Sequence, residues 1–364
     1  MSDARRVLMC SFRDLAHPGA GGAEVYTHEV LRRWAGQGHD VTLFSAGVDG
    51  EPLESEADGY RIVRGGSRAG VYRAARNFHR RSPNFDLVID QVNTRPFFCH
   101  EWARGNEKTV CLIHQVAREI WFEQTSLPVA MLGRYIVEPG WLRRLRQVPA
   151  IAVSDSTADS LRNYGMQRVV TVLSSLEPVP KEAPIERTGP PTIVFVGRLV
   201  ANKQPVHVVQ AFERVRAHMP DARLWIIGGG SLERRVRRRA GPGVEVFGRV
   251  DESTKERLLS EADVLVATSV REGWGLVVDE AAERGTAVIA YDAPGLRDSV
   301  GRANGVLVEP RPEALAEALL AHLTAKAERN LERRLGKWDW QALADRLWDA
   351  AVDIAEPPRG SVAV

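Results

Sequence analysis

Short apolar runs alternate with amphipathic stretches along most of the chain, and this alternation predicts the secondary structure. In the first half, runs rich in β-branched residues predict strands at 6–10, 41–45, 87–90, 109–114, 151–154 and 169–173. Apolar positions at helical spacing between these runs predict helices such as 23–37 and 157–164. Strands that alternate with helices indicate βαβ units and a parallel sheet.

A proline-rich segment divides this pattern into two halves. Residues 174–191 hold five prolines and predict a linker. The pattern then resumes, with predicted strands at 192–196, 224–227, 244–246, 264–267, 287–290 and 305–308 and predicted helices at 205–218, 232–239, 253–261, 276–284 and 312–323. Near the end, Trp338, Trp340, Leu343, Leu347 and Trp348 recur at helical spacing, which favours a docked amphipathic helix.

We therefore expect an α/β protein built from two doubly wound, Rossmann-like domains. The predicted divisions are 1–178, 179–336, a helix at 337–355 that packs back on the first domain, and a flexible tail at 356–364. Ligands of such sheets bind beyond the carboxyl ends of the strands. With two facing domains, the cleft between them is the expected active site.

Composition and charge exclude several classes of protein. The chain has 364 residues, of which 44% are apolar, and this fraction excludes gross disorder. Its 49 basic and 47 acidic side chains nearly balance, which argues against a dedicated nucleic-acid binder. Cys10, Cys99 and Cys111 form no close pair in the sequence, as expected in a reducing compartment. No apolar run suits a signal peptide or a membrane span, so we expect a cytoplasmic protein.

The stretch 271–282, REGWGLVVDEAA, is the most informative part of the chain. It follows a predicted strand and opens a predicted helix, and its glycines let the backbone approach a ligand. Glu280, about one turn into the helix, can accept hydrogen bonds from two neighbouring hydroxyls, as on a ribose. Glu272, in the loop, can hold the hydroxyls of a second sugar. Two solvated surface glutamates are the alternative, and the strand–loop–helix context favours a ligand site.

A second stretch, 194–204, reads VFVGRLVANKQ and brings two cations to the end of a predicted strand. Arg198 offers a rigid fork and Lys203 a point charge, a combination that suits a diphosphate beside a helix N-terminus. Two exposed cations near a turn are the alternative. Glycine runs at 19–22 and 228–230 also follow strands, but neither has the G-x-G-x-x-G spacing of a dinucleotide site.

These stretches resemble, in order and spacing, the retaining family-4 glycosyltransferases with the GT-B fold. The resemblance is strongest over 192–300, where E-x7-E and G-R-L-x3-K occur together. It is less specific in the first half, through GGAE at 21–24, HQVAREIW at 114–121 and AVSDSTADSLRNYG at 152–165. It implies a transferase that takes a nucleotide-diphosphate sugar as donor substrate and uses no cofactor.

The resemblance also implies a role for each matching residue. Arg198 and Lys203 would bind the donor diphosphate, and Glu280 would hold the ribose. Glu272, with the backbone of the next residues, would hold the donor sugar and the β-phosphate, and His114 would lie near the sugar and the acceptor. The remaining implied donor contacts are Gly21, Gly22, Arg249, Val250, Gly273, Trp274, Gly275 and Leu276.

Two departures from the family pattern affect the expected geometry. The linker reads LSSLEPVP where many relatives have a P-N-G turn, so Glu177 replaces a usual contact in our interpretation. Trp274 stands where Phe is frequent, and we expect it to enlarge the wall beside the donor sugar.

The sequence favours a metal-independent reaction, because it contains no D-x-D motif to hold a divalent ion on the diphosphate. The expected chemistry is front-face displacement with retention, in which the departing phosphate oxygen takes the acceptor's proton. Two alternatives remain open: a GT-B-fold sugar-nucleotide epimerase, and a non-catalytic glycosyltransferase-like partner protein.

The acceptor is not specified by these motifs. Residues 60–83 hold seven arginines and no acidic residue, so the first domain could contact an anionic membrane at the cytoplasmic face. A solvated helix face is the alternative. The acceptor hydroxyl could belong to an oligosaccharide, a lipid-linked carrier or a natural product.

Overall fold

The computed structural model describes residues 4–173, 176–178, 189–328 and 336–355. Its strands are β1 Arg6–Cys10, β2 Asp40–Ser45, β3 Glu54–Ala57, β4 Tyr60–Arg64, β5 Leu87–Val92, β6 Lys108–Ile113, β7 Ala150–Ala152, β8 Val169–Thr171, β9 Leu176–Pro178, β10 Thr192–Val196, β11 Arg223–Ile227, β12 Val244–Gly248, β13 Val264–Ala267, β14 Ala287–Tyr291, β15 Val306–Val308 and β16 Gly336–Trp338.

Its helices are α1 Gly22–Gly36, α2 Val71–Arg81, α3 Ile120–Gln124, α4 Leu127–Leu132, α5 Glu138–Arg144, α6 Asp155–Asn163, α7 Pro205–His218, α8 Glu233–Arg239, α9 Glu252–Glu261, α10 Leu276–Glu283, α11 Leu296–Arg302, α12 Pro312–Glu328 and α13 Trp340–Ala355.

The chain divides into two units. Unit 1 comprises Met1–Arg118, Met131–Ser175 and Trp340–Val364, and unit 2 comprises Glu119–Ala130 and Leu176–Asp339. The short stretch Glu119–Ala130 therefore groups with unit 2, although the sequence division had placed it in the first domain. The predicted tail at 356–364 lies outside the described residues.

Unit 1 is built on an eight-stranded sheet of order β3-β4-β2-β1-β5-β6-β7-β8. Its strands are parallel except for β3, which forms an antiparallel hairpin with β4 that the sequence pattern did not reveal. Ser154 caps α6 by accepting a hydrogen bond from the backbone N–H of Thr157. α13 packs on α1, where the Trp34 indole donates to the Ala344 carbonyl at 3.0 Å.

Unit 2 is built on a six-stranded parallel sheet of order β12-β11-β10-β13-β14-β15. Buried apolar residues cover both of its faces, with α7 and α12 over one face and α9, α10 and α11 over the other. The predicted linker is wrong at 176–178, because these residues form β9 and pair with β16. The rest of the linker, at 174–175 and 179–188, lies outside the described residues.

The strand order places the candidate residues of unit 2. It reverses between β10 and β13, so the connections that leave these two neighbours run in opposite directions. Such a reversal opens a crevice at the carboxyl ends of the strands. The loop that holds Arg198 and Lys203 follows β10, and the loop that holds Glu272 follows β13, so both loops meet at this crevice.

Candidate functional site

Lys203 and Glu272 form an ion pair at the carboxyl edge of the unit 2 sheet. The Lys203 Nζ bonds to Oε1 of Glu272, and the Ser269 hydroxyl donates to the same oxygen at 2.6 Å. Both charged side chains are partly exposed, at 20% and 15%. Two residues that the sequence assigned to one ligand are therefore in direct contact, with their charges available to solvent.

Backbone contacts fix the turn that ends at Lys203. This residue closes the 3-10 turn Ala201–Lys203, and its carbonyl accepts a hydrogen bond from the Thr268 hydroxyl at 2.7 Å. The carbonyl of Asn202, which is buried, accepts from the Val270 N–H at 3.0 Å. The loops after β10 and β13 are thus joined by backbone hydrogen bonds as well as by the Lys203–Glu272 ion pair.

The glycines at 228–230 support the loop that holds Arg198. A Cβ on Gly228 would lie 2.0 Å from the Gly197 carbonyl oxygen, and one on Gly230 would lie 2.4 Å from that of Leu199. The Leu199 N–H donates to the Gly229 carbonyl at 2.9 Å. Only glycine allows so close an approach, so this run packs against the backbone on both sides of Arg198.

The start of α10 lies directly beyond Glu272. Gly275 precedes the helix with φ +92°, a conformation that favours glycine, and Leu276 is the first helical residue. The N–H groups of Gly273 and Trp274 therefore lead into a helix N-terminus, where the dipole and the unpaired amides of a helix favour an anion. This geometry suits the predicted contact of this backbone with a phosphate.

The conformation of Glu272 depends on a second glycine. The Glu272 N–H donates to the Pro294 carbonyl at 3.0 Å. Gly295 permits this contact, because a Cβ there would lie 2.3 Å from the Glu272 carbonyl oxygen. The sequence analysis did not single out Gly295, although its position after a predicted strand is the kind of place where ligand loops occur.

Trp274, which we expect to enlarge the wall beside the donor sugar, packs inside unit 2. Its side chain is buried, and its indole N–H donates to a carboxylate oxygen of Asp279, which is also buried. The ring therefore fixes the junction between the loop and α10. Asp279 was missed because it looked like one more acidic residue in the first turn of a helix.

Glu280 pairs with a lysine that the sequence analysis missed. The Lys255 Nζ, on α9, lies 3.0 Å from Oε2 of Glu280 and 2.7 Å from Glu252. Burial lowers the pKa of Lys255, but the charges and hydrogen bonds of Glu280 and Glu252 outweigh it and raise that pKa. Lys255 therefore stays charged beside the Glu280 carboxylate, whose oxygens can accept hydrogen bonds from hydroxyls.

Arg249 and Val250 follow β12 at the same edge of the sheet. The Arg249 side chain extends over Gly229, with its Nε 3.5 Å from the position of a Cβ there. A groove of about 510 Å³ lies beside them, lined by Gly230, Ser231, Glu233, Arg234 and Arg237. The candidate residues of unit 2 thus occupy loops at one edge of its sheet and the first two turns of α10, which begins there.

His114 lies at the carboxyl end of β6 in unit 1, buried and hydrogen-bonded. The Gln91 amide nitrogen lies 3.1 Å from its Nε2, and the Thr27 hydroxyl lies 2.8 Å from the Gln91 amide oxygen. The edge of Tyr26 packs on the imidazole, with ring centroids 5.1 Å apart. Burial lowers the pKa of His114 to about 4, so the imidazole is neutral near pH 7.

The glycine loop of unit 1 is closed by a carboxylate. The Gly21 N–H donates to Glu24 Oε2 at 2.7 Å, and the other oxygen of Glu24 accepts from Arg13 at 2.8 Å. Gly22 begins α1 directly after this contact. A phosphate that reached this helix N-terminus would meet a carboxylate already in place, which the glycine pattern could not reveal.

The structure groups the candidate residues by unit. Arg198, Lys203, Glu272 and Glu280 share one sheet edge in unit 2, whereas His114 and Gly21 lie at the carboxyl edge of the unit 1 sheet. That the two groups act on one substrate remains a prediction of the sequence.

Two surface features of unit 1 lie outside these sites. Of the seven arginines at 60–83, Arg61 pairs with Glu54, and Arg64 is buried against Asp14 at 2.6 Å. The other five are exposed, namely Arg68, Arg73, Arg76, Arg80 and Arg81. The sequence analysis missed four exposed apolar side chains of unit 1, which are Met131 (49%), Leu132 (50%), Tyr135 (58%) and Ile136 (65%).

Over the described ranges, no three His, Cys, Asp or Glu side chains cluster in a way that could hold a metal ion. In the same parts of the chain, every helix is too short or too polar to cross a membrane.

Two protein-family models match the chain. Residues 20–174 match the model described as Glycosyltransferase Family 4, and residues 190–325 match the model described as Glycosyl transferases group 1. Together these matches cover the candidate residues of both units.

Curated relatives align over almost the whole chain. A glycogen synthase of Mycobacterium tuberculosis is 30% identical, over 93% of this chain and 92% of the relative. A GDP-mannose-dependent alpha-(1-6)-phosphatidylinositol dimannoside mannosyltransferase of the same species is 30% identical, over 90% and 91%. A D-inositol 3-phosphate glycosyltransferase of Xylanimonas cellulosilytica is 28% identical, over 93% and 95%.

Solved structures share the fold at lower identity. Sucrose-phosphate synthase from Thermosynechococcus elongatus superposes with a TM-score of 0.76 at 20% identity, over 96% of this chain and 99% of that one. Anabaena HepE in complex with UDP-glucose superposes with a TM-score of 0.63 at 13% identity, over 96% and 98%.

Proposed function

We propose that this chain, which belongs to the family-4 glycosyltransferases and has their GT-B fold, moves a hexose-type sugar from a nucleotide-diphosphate sugar to an acceptor hydroxyl. In this proposal the transferred sugar keeps its anomeric configuration. Transferase activity follows from the family. The nucleotide-sugar donor is supported by relatives and neighbours whose names include GDP-mannose or UDP-glucose.

The contact between Lys203 and Glu272 is the observation on which the proposal mainly rests. It places a cation and a carboxylate side by side at the reversal point of a parallel sheet, beside the N-terminus of α10. A donor has the complementary pair of groups, a diphosphate and a hydroxyl-bearing sugar. On binding, the phosphate would replace the carboxylate as the partner of Lys203, and Glu272 would turn to the sugar hydroxyls.

In this proposal the other residues of unit 2 complete the donor site. Arg198 would share the diphosphate charge with Lys203, and the amides of Gly273, Trp274 and Gly275 would contact the β-phosphate beside Leu276. Glu280, paired with Lys255, would accept hydrogen bonds from the ribose. Arg249 and Val250 would contact the base.

The proposed reaction needs no enzyme nucleophile and no metal ion. The diphosphate leaves, an oxocarbenium-like centre forms, and the acceptor hydroxyl enters from the same face while the departing phosphate oxygen takes its proton. Stabilisation of the departing charge by Arg198, Lys203 and the start of α10 is then the main catalytic term. His114 is neutral near pH 7 and would act through hydrogen bonds to the sugar rather than as an acid. Gly21 and Gly22 would lie nearest the acceptor, because the Glu24 carboxylate at the Gly21 N–H disfavours a phosphate there.

The donor and the stereochemistry can be tested together. A thermal-shift screen against UDP, GDP, dTDP, ADP and their sugars should identify the base, since a ligand at about 100 times its dissociation constant adds about 2.7 kcal/mol of stability. Transfer from that donor should then give a product with the donor's anomeric configuration, seen by NMR. Inversion would contradict the retaining mechanism, and absence of binding to all eight compounds would contradict the proposed function.

The same assay separates the two alternatives. An epimerase would change the sugar nucleotide without an added hydroxyl compound, and a non-catalytic partner would bind without turnover. The relatives named above are glycosyltransferases and give the epimerase no support.

We also propose that unit 1 contacts an anionic membrane at the cytoplasmic face. The support is the exposed arginine set on and before α2 and the four exposed apolar side chains at 131–136. Co-sedimentation with phosphatidylglycerol vesicles, but not with phosphatidylcholine vesicles, is the expected result. The double substitution Arg73→Gln with Arg76→Gln should weaken vesicle binding, because each basic residue near an anionic surface contributes about 1 kcal/mol to the binding free energy. Equal sedimentation of the variant would contradict this contact.

A further inference from the structure

α3 contacts the two loops that hold Lys203 and Glu272, within unit 2. Glu119, which precedes the helix, accepts a hydrogen bond from the Arg271 guanidinium at 2.6 Å. The Gln124 amide, at the end of the helix, donates to the Asn202 side chain at 3.0 Å. Arg271 immediately precedes Glu272, and Asn202 immediately precedes Lys203. One short helix therefore bonds to the sequence neighbours of both charged residues.

A third bond completes this contact. The Gln204 amide donates to Glu123 Oε2 at 3.1 Å, and Gln204 immediately follows Lys203. The Lys203 turn is thus held on both sides, by Gln124 before the lysine and by Glu123 after it. Side chains of and beside α3 therefore support the two loops, in addition to the backbone hydrogen bonds that join the loops to each other.

The charge of Arg271 makes the Glu119 contact the critical one. The Arg271 side chain is 4% exposed, and a guanidinium cannot lose its proton, so a buried one requires an anionic partner. Glu119 supplies that charge. Without it, the nearest carboxylate along the chain is Glu272, the next residue.

We infer that Glu119 is a positioning residue of the donor site, which rests on the proposed function. By neutralising Arg271, Glu119 leaves the Glu272 carboxylate available to Lys203 and to the donor sugar. Gln124 supports the same arrangement at Asn202. The motif around 114–121 thus contributes to the donor site through Glu119, which belongs to unit 2.

The test compares binding of a sugar nucleotide with binding of the nucleotide alone. Calorimetric titrations would use UDP-glucose with UDP, and GDP-mannose with GDP, on the full chain. Glu119→Gln should weaken sugar-nucleotide binding about tenfold, the size of an ordinary coupling between contacting side chains. Binding of the nucleotide diphosphate should weaken less, because Glu272 is assigned to the sugar.

A second substitution separates positioning from a general loss of stability. Arg271→Gln in the Glu119→Gln background removes the unpaired cation, so it should recover most of the lost affinity. A merely structural contact would instead give a double variant with a lower melting temperature and no recovery. Glu119→Asp, which keeps the charge, should bind more tightly than Glu119→Gln.

Glu213→Gln is the matched control. It makes the same change in an exposed pair of unit 2, where Glu213 lies 2.8 Å from Arg239, and it should leave both affinities unchanged. Wild-type affinity in Glu119→Gln, or equal losses for sugar nucleotide and nucleotide, would overturn the inference alone. Failure of the wild type to bind these four compounds and also the dTDP and ADP compounds of the thermal-shift screen would overturn the proposed function and this inference with it.

Discussion

At the scale of single residues, the candidate site consists of charges that are already paired with each other. Lys203 is held by Glu272, and Glu280 by Lys255. The four side chains are 15 to 29% exposed, so a ligand can reach each pair from solvent. A ligand that offers a diphosphate and several hydroxyls can therefore take over each charge without leaving an unpaired one behind.

The two cations after β10 should be essential for turnover. Lys203→Ala and Arg198→Ala should each lower kcat about 100-fold, because loss of one donor to a developing charge typically costs about 3 kcal/mol. Steady-state kinetics with the donor found in the screen would measure this, with Arg239→Ala as the exposed control. Undiminished turnover in both variants would contradict the phosphate assignment. Loss of wild-type activity in EDTA, restored by Mg²⁺, would contradict the metal-independent mechanism.

His114 should make stability depend on pH. Burial lowers its pKa to about 4 in the folded protein, against about 6.5 in an unfolded chain, so the unfolded state binds more protons between these values. Protonation of His114 therefore favours the unfolded state. The free energy of unfolding should fall by about 3 kcal/mol in total as the pH is lowered from about 6.5 to 4, and should not depend on His114 above about pH 6.5.

Urea unfolding of wild type and His114→Gln from pH 4 to 7 checks this expectation. The difference between their unfolding free energies should shrink as the pH falls. Burial also raises the pKa of Asp90, to about 6, and that effect has the opposite sign. It is common to both proteins and cancels in the difference. A difference that does not change with pH would contradict the burial of a neutral imidazole.

At the scale of elements, the loops after the strands are shaped by close backbone contacts. Gly228 lies against Gly197, and Gly295 lies against Glu272. Each pair brings together two loops that follow neighbouring strands. Backbone contacts between these loops therefore determine where Arg198 and Glu272 lie, independently of side-chain contacts.

Gly228→Ala should destabilise unit 2 by about 2 to 4 kcal/mol, since it adds a clash to an unfavourable φ of +127°. Gly241→Ala is the matched control, because nothing lies within 4 Å of its added Cβ. It should change the free energy of unfolding by less than about 0.5 kcal/mol. Denaturant unfolding measures the stability of both variants. Equal stability would show that the loop after β11 can shift to accommodate a Cβ at position 228.

The sequence pattern predicted these elements unevenly. It predicted every strand of the unit 2 sheet and the unit 1 strands other than β3 and β4, because buried parallel strands are continuous apolar runs. In unit 2 it predicted α7, α8, α9, α10 and α12 but not α3 or α11. It missed the β3–β4 hairpin, whose exposed β3 has the sequence ESEA. It also missed β9, since only pairing with β16 makes a strand of a proline-rich stretch.

At the scale of the whole molecule, the chain does not pass through its two units in sequence order. Glu119–Ala130 groups with unit 2, and the last described helix, α13, belongs to unit 1. On α13, Leu343, Leu347 and Trp348 are buried, and the Trp348 ring stacks on His39 at 3.8 Å. Unit 1 is therefore completed by residues from the far end of the chain.

Leu347→Ala should lower the stability of unit 1 by about 2 to 5 kcal/mol, as for other buried leucines. Leu53→Ala, at a side chain that is 70% exposed, is the control and should have little effect. Hydrogen exchange followed by mass spectrometry should show faster exchange in α1, on which α13 packs. Unchanged protection of α1 would contradict this role of the C-terminal helix.

The sequence by itself determined the family, the buried sheet-forming runs of the two sheet centres and the identity of the charged residues, because these depend on residue type and on spacing along the chain. Only the tertiary structure decided their partners. Lys255 beside Glu280, Asp279 beneath Trp274, Glu24 at Gly21 and Glu119 against Arg271 each join residues that pattern alone had not linked. The physical reason is that pairing and burial depend on which loops the strand order brings together, and a local pattern does not encode that distance.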